Sequence, residues 1–550
     1  MHLGGQDGIT AYNIEDNELW MRHVLTAFSQ VTVAIYVFWK SWTWPDEKPL
    51  WKTTLLVFVP GMLKCFEKPW ALKNASITSL TTMSSSVENV ETNSLEAYVE
   101  AARQLWRQIL APNDVDRKPY TLFVDIVHSY DDRLRNMSYM VCNKGEAYDL
   151  VQSELSSVFD RLYTKERVFG YTPNYCGPTR LVINRARFGS MLRYLVAYLS
   201  VQAIGVFYTG NYSSYNSSDV KVTSILLWGT TALEYLIANV KPFLEWWGTN
   251  KFKLAWPNQV AQYNLIGYMT RNRRHKGIRK LAALLGCKDT LDQLWFMEPC
   301  WSSRDVTSLV YDHVRQGWRG YIRNTATYIS FNNSRGQRTL EHEEHLELLV
   351  YIINRPFDET VLLWHLATDF CFHYMDVNID DDIRAREMSR TSRQISNYLM
   401  YLLFVNPEML MTGTRSNLFK TTYGDLKRMI RLDIIEEPAL DERGITERIL
   451  QEIRRTAPGE GGLIRDAFGL ANALMGVGME AAAARWRIIR GVWVEMLCFS
   501  AGRCRGYLHA KGLGKGGEYL SHVWLLLSRL GMETLAERLQ RTEQPVLEIV

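Results

Sequence analysis

The sequence predicts an all-α protein in which N-terminal transmembrane helices are followed by a cytosolic multi-helix bundle. Three observations lead to this prediction. Four apolar stretches lie before residue 241, basic residues flank the last two of them, and the remaining chain carries shorter apolar stretches at helical spacing. The distribution of apolar residues along the chain therefore carries the assignment.

The average composition does not decide the class. Of 550 residues, 47% are hydrophobic and 22% are charged, as in ordinary folded proteins. The formal net charge of +4 is too small to indicate nucleic-acid binding, which needs basic residues clustered on one surface. The eight cysteines include no CxxC pair, so no zinc ribbon or thioredoxin-like motif is predicted. We expect no nucleic-acid partner.

Residues 1–75 are predicted to hold an N-terminal signature and two membrane helices. The stretch Val24–Trp39 has no charged residue and is followed by Lys40, as is typical of a helix that ends at a membrane interface. The stretch Trp51–Phe66 is weaker, because two lysines shorten its uncharged part and Pro60 interrupts it. A buried helix of a water-soluble protein fits this second stretch equally well.

Residues 187–241 are predicted to form a transmembrane hairpin. Leu192–Tyr208 and Val222–Val240 are both near the length that spans a bilayer, and the polar segment Thr209–Lys221 joins them. Arginines precede the hairpin and lysines follow it, so the positive-inside tendency places the joining loop outside the cytosol and the flanks inside. Buried helices of a soluble protein are the alternative.

Glu234 is the only charged residue within the fourth apolar stretch. An ionisable side chain at the bilayer centre costs about 2.5–3.5 kcal/mol on insertion scales, so it normally faces a partner or a water-filled cavity. Glu234 is therefore a candidate functional residue. Pairing within the helix bundle is the structural alternative.

The remaining segments are predicted to be cytosolic helices. Residues 76–186 form a helical insert, in which Leu122–Val127 could be a short strand. Residues 242–432 and 463–550 carry apolar stretches that are too short to span, such as Val361–Phe372 and Tyr519–Leu530. Residues 433–462 are charged and punctuated by glycine and proline, so they are predicted to be a linker between two subdomains.

A basic run follows the predicted hairpin and contains no acidic residue. Each basic residue near an anionic membrane surface contributes about 1 kcal/mol, so this run is a candidate for lipid contact. A solvated cytosolic helix is the alternative. The candidate lipid-contact residues are Arg271, Arg273, Arg274, Lys276, Arg279 and Lys280.

The most suggestive constellation is His365, Asp369 and His373, which are spaced by four residues and share one helix face. Histidine and aspartate are plausible zinc or iron ligands. The two histidines lie about 12 Å apart along a helix axis, however, so one ion with bonds near 2 Å hardly reaches both. Hydrogen bonding to neighbouring helices is the alternative role. No metal site and no cofactor is predicted.

Several stretches, in order, resemble a plant protein family defined by the domain of unknown function DUF4220 and its C-terminal companion DUF594. The N-terminal stretches are HLGGQDGITAYNIEDNELWMRH (2–23), EKPWALK (67–73) and LFVDIVHSYDDRLR (122–135). The C-terminal stretches are LLWHLATDFCF (362–372), SRQISNYLMYLL (392–403), VEMLCFSAGRC (494–504) and GGEYLSHVWLLL (516–527). The resemblance implies a multi-pass membrane protein without an established molecular role, and it supplies no catalytic residues.

Three classes of function follow from these observations. We expect a non-enzymatic, membrane-anchored scaffold or signalling adaptor, with membrane lipid and cytosolic proteins as its partners. A transporter or channel component is the first alternative and would use Glu234 in a hydrated path. A membrane-tethered metalloenzyme built around His365 and Asp369 is the second alternative.

Overall fold

The computed structural model describes most of the chain, and its regular elements are helices. The described residues are 11, 13–40, 48–79, 94–107, 119–164, 180–210, 216–246, 260–274, 300–375, 382–415, 417–430, 441–455, 462–476, 482–514 and 518–541. An isolated antiparallel β-bridge joins Val260 and Cys300. The predicted all-α class is confirmed. The predicted strand at Leu122–Val127 is wrong, because Pro119–Val124 forms a 3₁₀ helix.

The α-helices are numbered here in chain order. The first half of the chain contains α1 (Glu15–Glu18), α2 (Trp20–Lys40), α3 (Lys48–Ala75), α4 (Leu95–Arg107), α5 (Tyr130–Cys142), α6 (Ala147–Tyr163), α7 (Arg180–Tyr208), α8 (Ser217–Trp246) and α9 (Leu265–Arg274).

The second half continues with α10 (Ser303–Gln316), α11 (Thr325–Asn333), α12 (Gln337–His342), α13 (Val350–Ile353), α14 (Phe357–Phe370), α15 (Ile383–Val405), α16 (Pro407–Leu410), α17 (Leu418–Met429), α18 (Glu442–Arg455), α19 (Gly462–Gly476), α20 (Ala482–Arg503), α21 (Gly506–Gly514), α22 (Tyr519–Arg529) and α23 (Leu535–Gln540). Two π-helical turns, Gly317–Tyr321 and Cys371–Met375, extend α10 and α14.

Four long helices, α2, α3, α7 and α8, form what we term the N-terminal helix group. Helix α3 packs against α2 and α7, and α7 packs against α8. Their small shared core contains Ala203, Ile204, Phe207 and Leu227. These helices correspond to the four apolar stretches of the sequence.

Hydropathy does not support the predicted membrane spans. In the described ranges, none of the helices is at once long enough and apolar enough to cross a bilayer. The physical reason is that polar residues interrupt each apolar stretch. Helix α2 contains three polar residues within four positions, Ser29, Gln30 and Thr32. Helix α3 contains Lys64 and two prolines.

Helices α4–α6 and α9–α23 form what we term the helical bundle. Helix α15 lies along α20, α14 packs between α15 and α19, and α20 contacts α22. One continuous core holds the large fully buried side chains of this region, including Trp106, Trp318, Trp364, Trp486 and Trp493. Burying such rings is the main source of stability for a helical bundle.

The insert between α3 and α7 packs on the C-terminal helices. Arg133 of α5 lies 3.4 Å from Glu537 of α23, and both side chains are almost fully buried. The Gly531 carbonyl accepts hydrogen bonds from Tyr98 and Tyr328. Gly531 has a φ of +85°, and a Cβ atom there would lie 2.8 Å from the Tyr98 hydroxyl, so glycine is required at this junction.

Helix ends in the bundle follow local sequence signals. Ser129 caps α5 by accepting a hydrogen bond from the Asp132 amide. Asn324 and Thr327 form a capping box at α11, and Thr534 and Glu537 form another at α23. These caps explain where the helices begin. The domain boundaries inferred from the sequence stay predictions.

Candidate functional site

The three residues singled out on α14 lie in a buried polar cluster between α14, α15 and α18. Helix α14 is buried on nearly all sides, so its polar residues are buried together with the apolar run Val361–Trp364. His365 is fully buried, and its Nδ1 lies 2.8 Å from the Ser396 hydroxyl of α15. Its Nε2 accepts a hydrogen bond of 3.3 Å from the Leu265 amide at the start of α9. Both ring nitrogens therefore have protein partners.

Asp369 is the centre of the cluster. Its Oδ1 accepts a 3.0 Å hydrogen bond from Arg393 Nε, and its Oδ2 accepts a 2.6 Å bond from Asn264 Nδ2. The same Oδ2 lies 3.7 Å from His365 Nε2. The carboxylate is 1% exposed, so these contacts replace the water that it loses on folding.

Arg393 of α15 links the third predicted residue to the cluster. Its Nη2 lies 2.9 Å from His373 Nε2 and also donates to Glu442 at the start of α18. His373 Nε2 is 3.3 Å from the Glu442 carboxylate. The π-helical turn after α14 positions His373 for these contacts. One arginine thus connects α14, α15 and α18.

The electrostatics of the cluster follow from burial and from this arginine. Burial lowers the pKa of His365 to about 4, although the neighbouring Asp369 charge partly opposes the shift. Burial alone would raise the pKa of Asp369, but Arg393, His365 and His373 together outweigh it and the pKa is lowered. Glu442 behaves alike: its hydrogen bonds to His373 and Arg393 overcome burial and lower its pKa to about 2. The cluster therefore holds neutral His365 and two carboxylates.

A metal ion is a poor match for this arrangement. Among the described residues, no group of three or more His, Cys, Asp or Glu side chains has the geometry to hold an ion. The Arg393 guanidinium also occupies the position between Asp369, His373 and Glu442, and a positive charge there repels a cation. The geometry favours the hydrogen-bonding role for His365, Asp369 and His373.

The partners of these residues come from distant parts of the chain. Arg393, Glu442 and Asn264 were not singled out from the sequence. Arg393 lies in one of the stretches that carry the family resemblance, and it is the basic residue on a largely buried helix face. The sequence feature that could have indicated Arg393 is the aspartate on α14, because a buried carboxylate needs a cation as its partner.

The other sequence candidates lie outside the described residues or side chains. The backbone of Glu234 belongs to α8, but its side chain is not described. The same holds for Arg271, Arg273 and Arg274 at the end of α9. The positions Lys276, Arg279 and Lys280 are outside the described ranges. Their roles stay predictions.

The second notable feature is an exposed apolar face on the N-terminal helix group, which we term the N-terminal apolar surface. Large apolar side chains there are between 38% and 79% exposed, as for Leu63 at the lower end and Trp39 at the upper end. The surface comprises Leu25, Phe28, Val33, Val37 and Trp39 of α2, Leu55 and Leu63 of α3, Tyr194, Leu195, Tyr198 and Val201 of α7, and Val222, Ile225, Leu226, Trp228 and Leu233 of α8.

The helical bundle shows no comparable surface in its described part. Its large exposed apolar side chains are few. Leu346, Val350 and Ile353 lie in one short helical stretch, and the others are Trp301, Ile383 and Leu539. Single exposed apolar residues are normal on protein surfaces, whereas many of them on helices that pack together are typical of contact with lipid or with another protein. The N-terminal apolar surface is therefore a candidate interaction site.

Fold and surface together define an all-helical protein in which a group of apolar-faced helices is joined to a larger, well-packed bundle. Two family models match the chain. The DUF4220 model, a domain of unknown function, matches residues 1–268, and the DUF594 model, a protein of unknown function, matches residues 479–532. The chain therefore carries both domains, and the predicted resemblance is confirmed. No curated protein and no solved structure matches it.

The two matches divide along the fold. The DUF4220 match covers the whole N-terminal helix group, the insert with α4–α6, and the first residues of α9. The DUF594 match covers α20, α21 and α22, which contribute Trp486, Trp493 and Trp524 to the bundle core. Neither description assigns a molecular activity.

Proposed function

We propose that the chain is a multi-pass membrane protein in which the N-terminal helix group is embedded in lipid and the helical bundle acts as a non-enzymatic scaffold or signalling adaptor in the cytosol. The observation that carries the proposal is the N-terminal apolar surface. This surface has sixteen large apolar side chains, and leaving one such side chain in water costs roughly 1.5–3 kcal/mol relative to burying it fully. A hydrocarbon environment removes that cost.

The distribution of polar residues in the group supports lipid over water. Thr231 of α8 and Lys64 of α3 are buried between the helices, whereas Ile225 and Leu226 point outward. The mean hydropathy of a helix averages both faces, so helices that hold polar groups inward score low while presenting an apolar face to lipid. Polar groups that face a helix bundle's interior are the common arrangement in membranes.

Aromatic residues at the helix ends add to this support. Trp39 lies at the end of α2 beside Lys40, and Tyr208 lies at the end of α7. Tryptophan, tyrosine and lysine are enriched where helices meet the membrane–water interface. The polar cluster around Asp369, in contrast, stabilises the fold of the bundle, which suits a rigid scaffold.

The membrane part of the proposal is tested by alkaline carbonate extraction of the full chain. We expect the protein to stay in the membrane pellet and to need detergent for release. A reporter inserted within residues 211–215 and another at the C-terminus should lie on opposite sides of the membrane. Recovery of the protein as a detergent-free monomer in the supernatant would contradict the proposal.

The scaffold part needs a separate experiment. Proximity labelling from the C-terminus of the full chain should mark a reproducible set of cytosolic proteins. The control is the same N-terminal region joined to an unrelated soluble domain, which accounts for proteins that are merely near the membrane. A label set identical to that of the control would rule out the adaptor role.

A further inference from the structure

One polar side chain interrupts the N-terminal apolar surface on α7. Gln202 is exposed, and it lies four residues after Tyr198 and three residues before Gly205, which are exposed as well. This spacing places the three residues on one face of the helix. Ala203 and Phe207 are buried in the shared core of the group, on the other side of α7. Gln202 therefore points away from the helices of its own group.

The side-chain amide of Gln202 has no hydrogen-bond partner in the described part of the chain. Nearby hydroxyls differ, because Ser200 donates to the Val196 carbonyl and Thr209 donates to the Val206 carbonyl. An amide carries two N–H donors and an acceptor oxygen, and hydrocarbon offers none of the hydrogen bonds that water would supply. This step rests on the proposed membrane location, in which the amide needs a partner from another molecule.

Gly205 leaves room for such a partner. A Cβ atom added there would meet none of the described side chains or neighbouring helices within 4 Å, so the packing of the chain itself gives no reason for glycine. Glycine inside a helix is destabilising relative to alanine. On the outer face of a membrane helix, however, a small residue lets the backbone of another helix approach closely. The amide and the glycine are one helical turn apart and define one contact area.

We propose that α7 is the contact helix of a symmetric dimer of this chain in the membrane, in which the Gln202 amides of two copies bond to each other beside Gly205. A glutamine amide is donor and acceptor at once, so two copies related by a two-fold axis can donate to one another. A second copy is therefore the partner that this self-complementary group fits directly. Tyr198 and Val201, which are 60% and 52% exposed, supply apolar contact area around the amides.

The experiment is energy transfer between donor-labelled and acceptor-labelled copies of the full chain, reconstituted together in lipid vesicles. Wild type should show transfer that saturates with the protein-to-lipid ratio. Gln202→Leu removes the amide at similar size and should weaken association by about tenfold, as expected for a lost amide pair between membrane helices. Gly205→Ile should weaken it by at least about tenfold, because a branched side chain keeps the helices apart. Gln202→Asn keeps the amide and should retain most of the association.

Two matched control variants lie in the same helix group. Gln30→Leu removes an exposed amide from α2, where Gln30 lies beside the buried Ala27 at the edge of the face that packs on α3. Gly229→Ile adds the same branched side chain at an exposed glycine of α8 that also has open space around it. Both controls should associate as wild type does.

Cross-linking tests the symmetry of the contact. Under mild oxidation in vesicles, the Gln202→Cys variant should form a disulfide-linked dimer, because residues beside a two-fold axis meet their own copies. The Gln30→Cys variant should not exceed the cross-linking that the native cysteines give in wild type.

The dimer is refuted if wild type shows no saturable transfer while carbonate extraction still leaves it in the membrane pellet. That outcome spares the proposed membrane location and assigns the amide to a different membrane protein. The dimer is also overturned if neither Gln202→Leu nor Gly205→Ile weakens association, or if the controls weaken it equally, because the contact would then lie elsewhere. Release of wild type by carbonate would contradict the proposed function itself, and this inference with it.

Discussion

Helices α2 and α20 have nearly the same length but opposite surroundings. Helix α2 has 21 residues, of which Ala27 and Val31 are buried. Helix α20 has 22 residues and buries twelve side chains, including Trp486 and Trp493. The more exposed helix is also the more apolar of the two. In a protein surrounded only by water, apolar character and burial rise together, and the proposed lipid environment of the N-terminal helix group would account for this inversion.

The comparison also separates the sources of stability. The helical bundle excludes water by packing large rings and by satisfying its buried charges internally, as around Asp369. The N-terminal helix group has a small shared core of four buried residues and leaves many of its large apolar side chains exposed. We therefore expect substitutions in the bundle to change folding free energy, and substitutions on the N-terminal apolar surface to change membrane contact.

The largest expected difference concerns two tryptophans. Trp493 is fully buried and donates a 3.0 Å hydrogen bond to Thr368, so Trp493→Ala should lower the free energy of unfolding by about 4 kcal/mol. Trp39→Ala, at a position 79% exposed, should lower it by less than about 0.5 kcal/mol. Denaturant titration followed by far-ultraviolet circular dichroism measures both. Similar losses would mean that Trp39 is packed in the folded chain.

The next largest effect is expected in the polar cluster. Arg393→Met leaves the buried Asp369 carboxylate without its cation and should cost about 3 kcal/mol of folding free energy. Arg428, 81% exposed and paired with Asp425, is the matched control, and Arg428→Met should cost less than about 0.5 kcal/mol.

A double substitution tests the cause of this loss. Adding Asp369→Asn to Arg393→Met removes the carboxylate that has lost its cation. The double variant should regain part of the lost free energy of unfolding, because the loss comes from burying an uncompensated charge. If the double variant is less stable than Arg393→Met, the arginine acts through packing on Phe372. Thermal unfolding of Arg393→Met and of the double variant measures the difference.

A smaller effect is expected from pH, and it should be confined to the bundle. The pKa of His365 is about 4 in the folded chain and near 6.5 when exposed, so the unfolded chain takes up a proton first as the pH falls. Stability should therefore decrease from pH 6.5 towards pH 4, by roughly 2 kcal/mol at pH 5, and then level off for this group.

The variant His365→Gln isolates this contribution. Glutamine keeps an acceptor for the Leu265 amide but does not titrate. The free energy of unfolding of the variant should therefore decrease less steeply between pH 6.5 and pH 4. His509 and His522, whose pKa values burial lowers to about 3, should retain a residual slope in the variant. If the free energy of unfolding of the variant falls with pH as steeply as that of wild type, His365 is not the group that controls the acid response.

Glu442 should contribute at lower pH. Its pKa of about 2 in the folded chain predicts a further loss of stability only below about pH 4.5.

The sequence predicted the bundle better than it predicted the surroundings of the N-terminal helices. Helical spacing and apolar runs such as Val361–Phe372 were enough to predict α14, because periodicity depends only on near neighbours. The partners of Asp369 could not be predicted, since Asn264 and Arg393 come from helices whose arrangement depends on the whole fold.

The inward polar residues of the N-terminal helix group were missed for a related reason. A hydropathy window treats Lys64 and Thr231 as interruptions of an apolar stretch, and it has no information about the direction in which they point. The structure shows both side chains buried between helices. The same limitation explains how a helix can fail a hydropathy threshold and still carry an apolar face as extensive as that of α8.

Two cysteine substitutions with the smallest expected effect on folding give the sharpest test of whether the N-terminal helix group and the helical bundle have different surroundings. Ile225 of α8 is 71% exposed, and Ile383 of the bundle is 78% exposed, so Ile225→Cys and Ile383→Cys should each change the free energy of unfolding by less than about 0.5 kcal/mol. Their thiols should nevertheless differ in reactivity. A thiol in hydrocarbon does not ionise, and the thiolate is the nucleophile.

In lipid vesicles, a water-soluble maleimide should therefore label Ile225→Cys at least about tenfold more slowly than Ile383→Cys, after subtraction of labelling at the native cysteines. Solubilisation in mild detergent should leave that difference largely intact, because detergent replaces lipid on the same face. Equal labelling rates in vesicles would place Ile225 in water, and the exposed side chains of α2, α3, α7 and α8 would then require a protein partner in place of a bilayer.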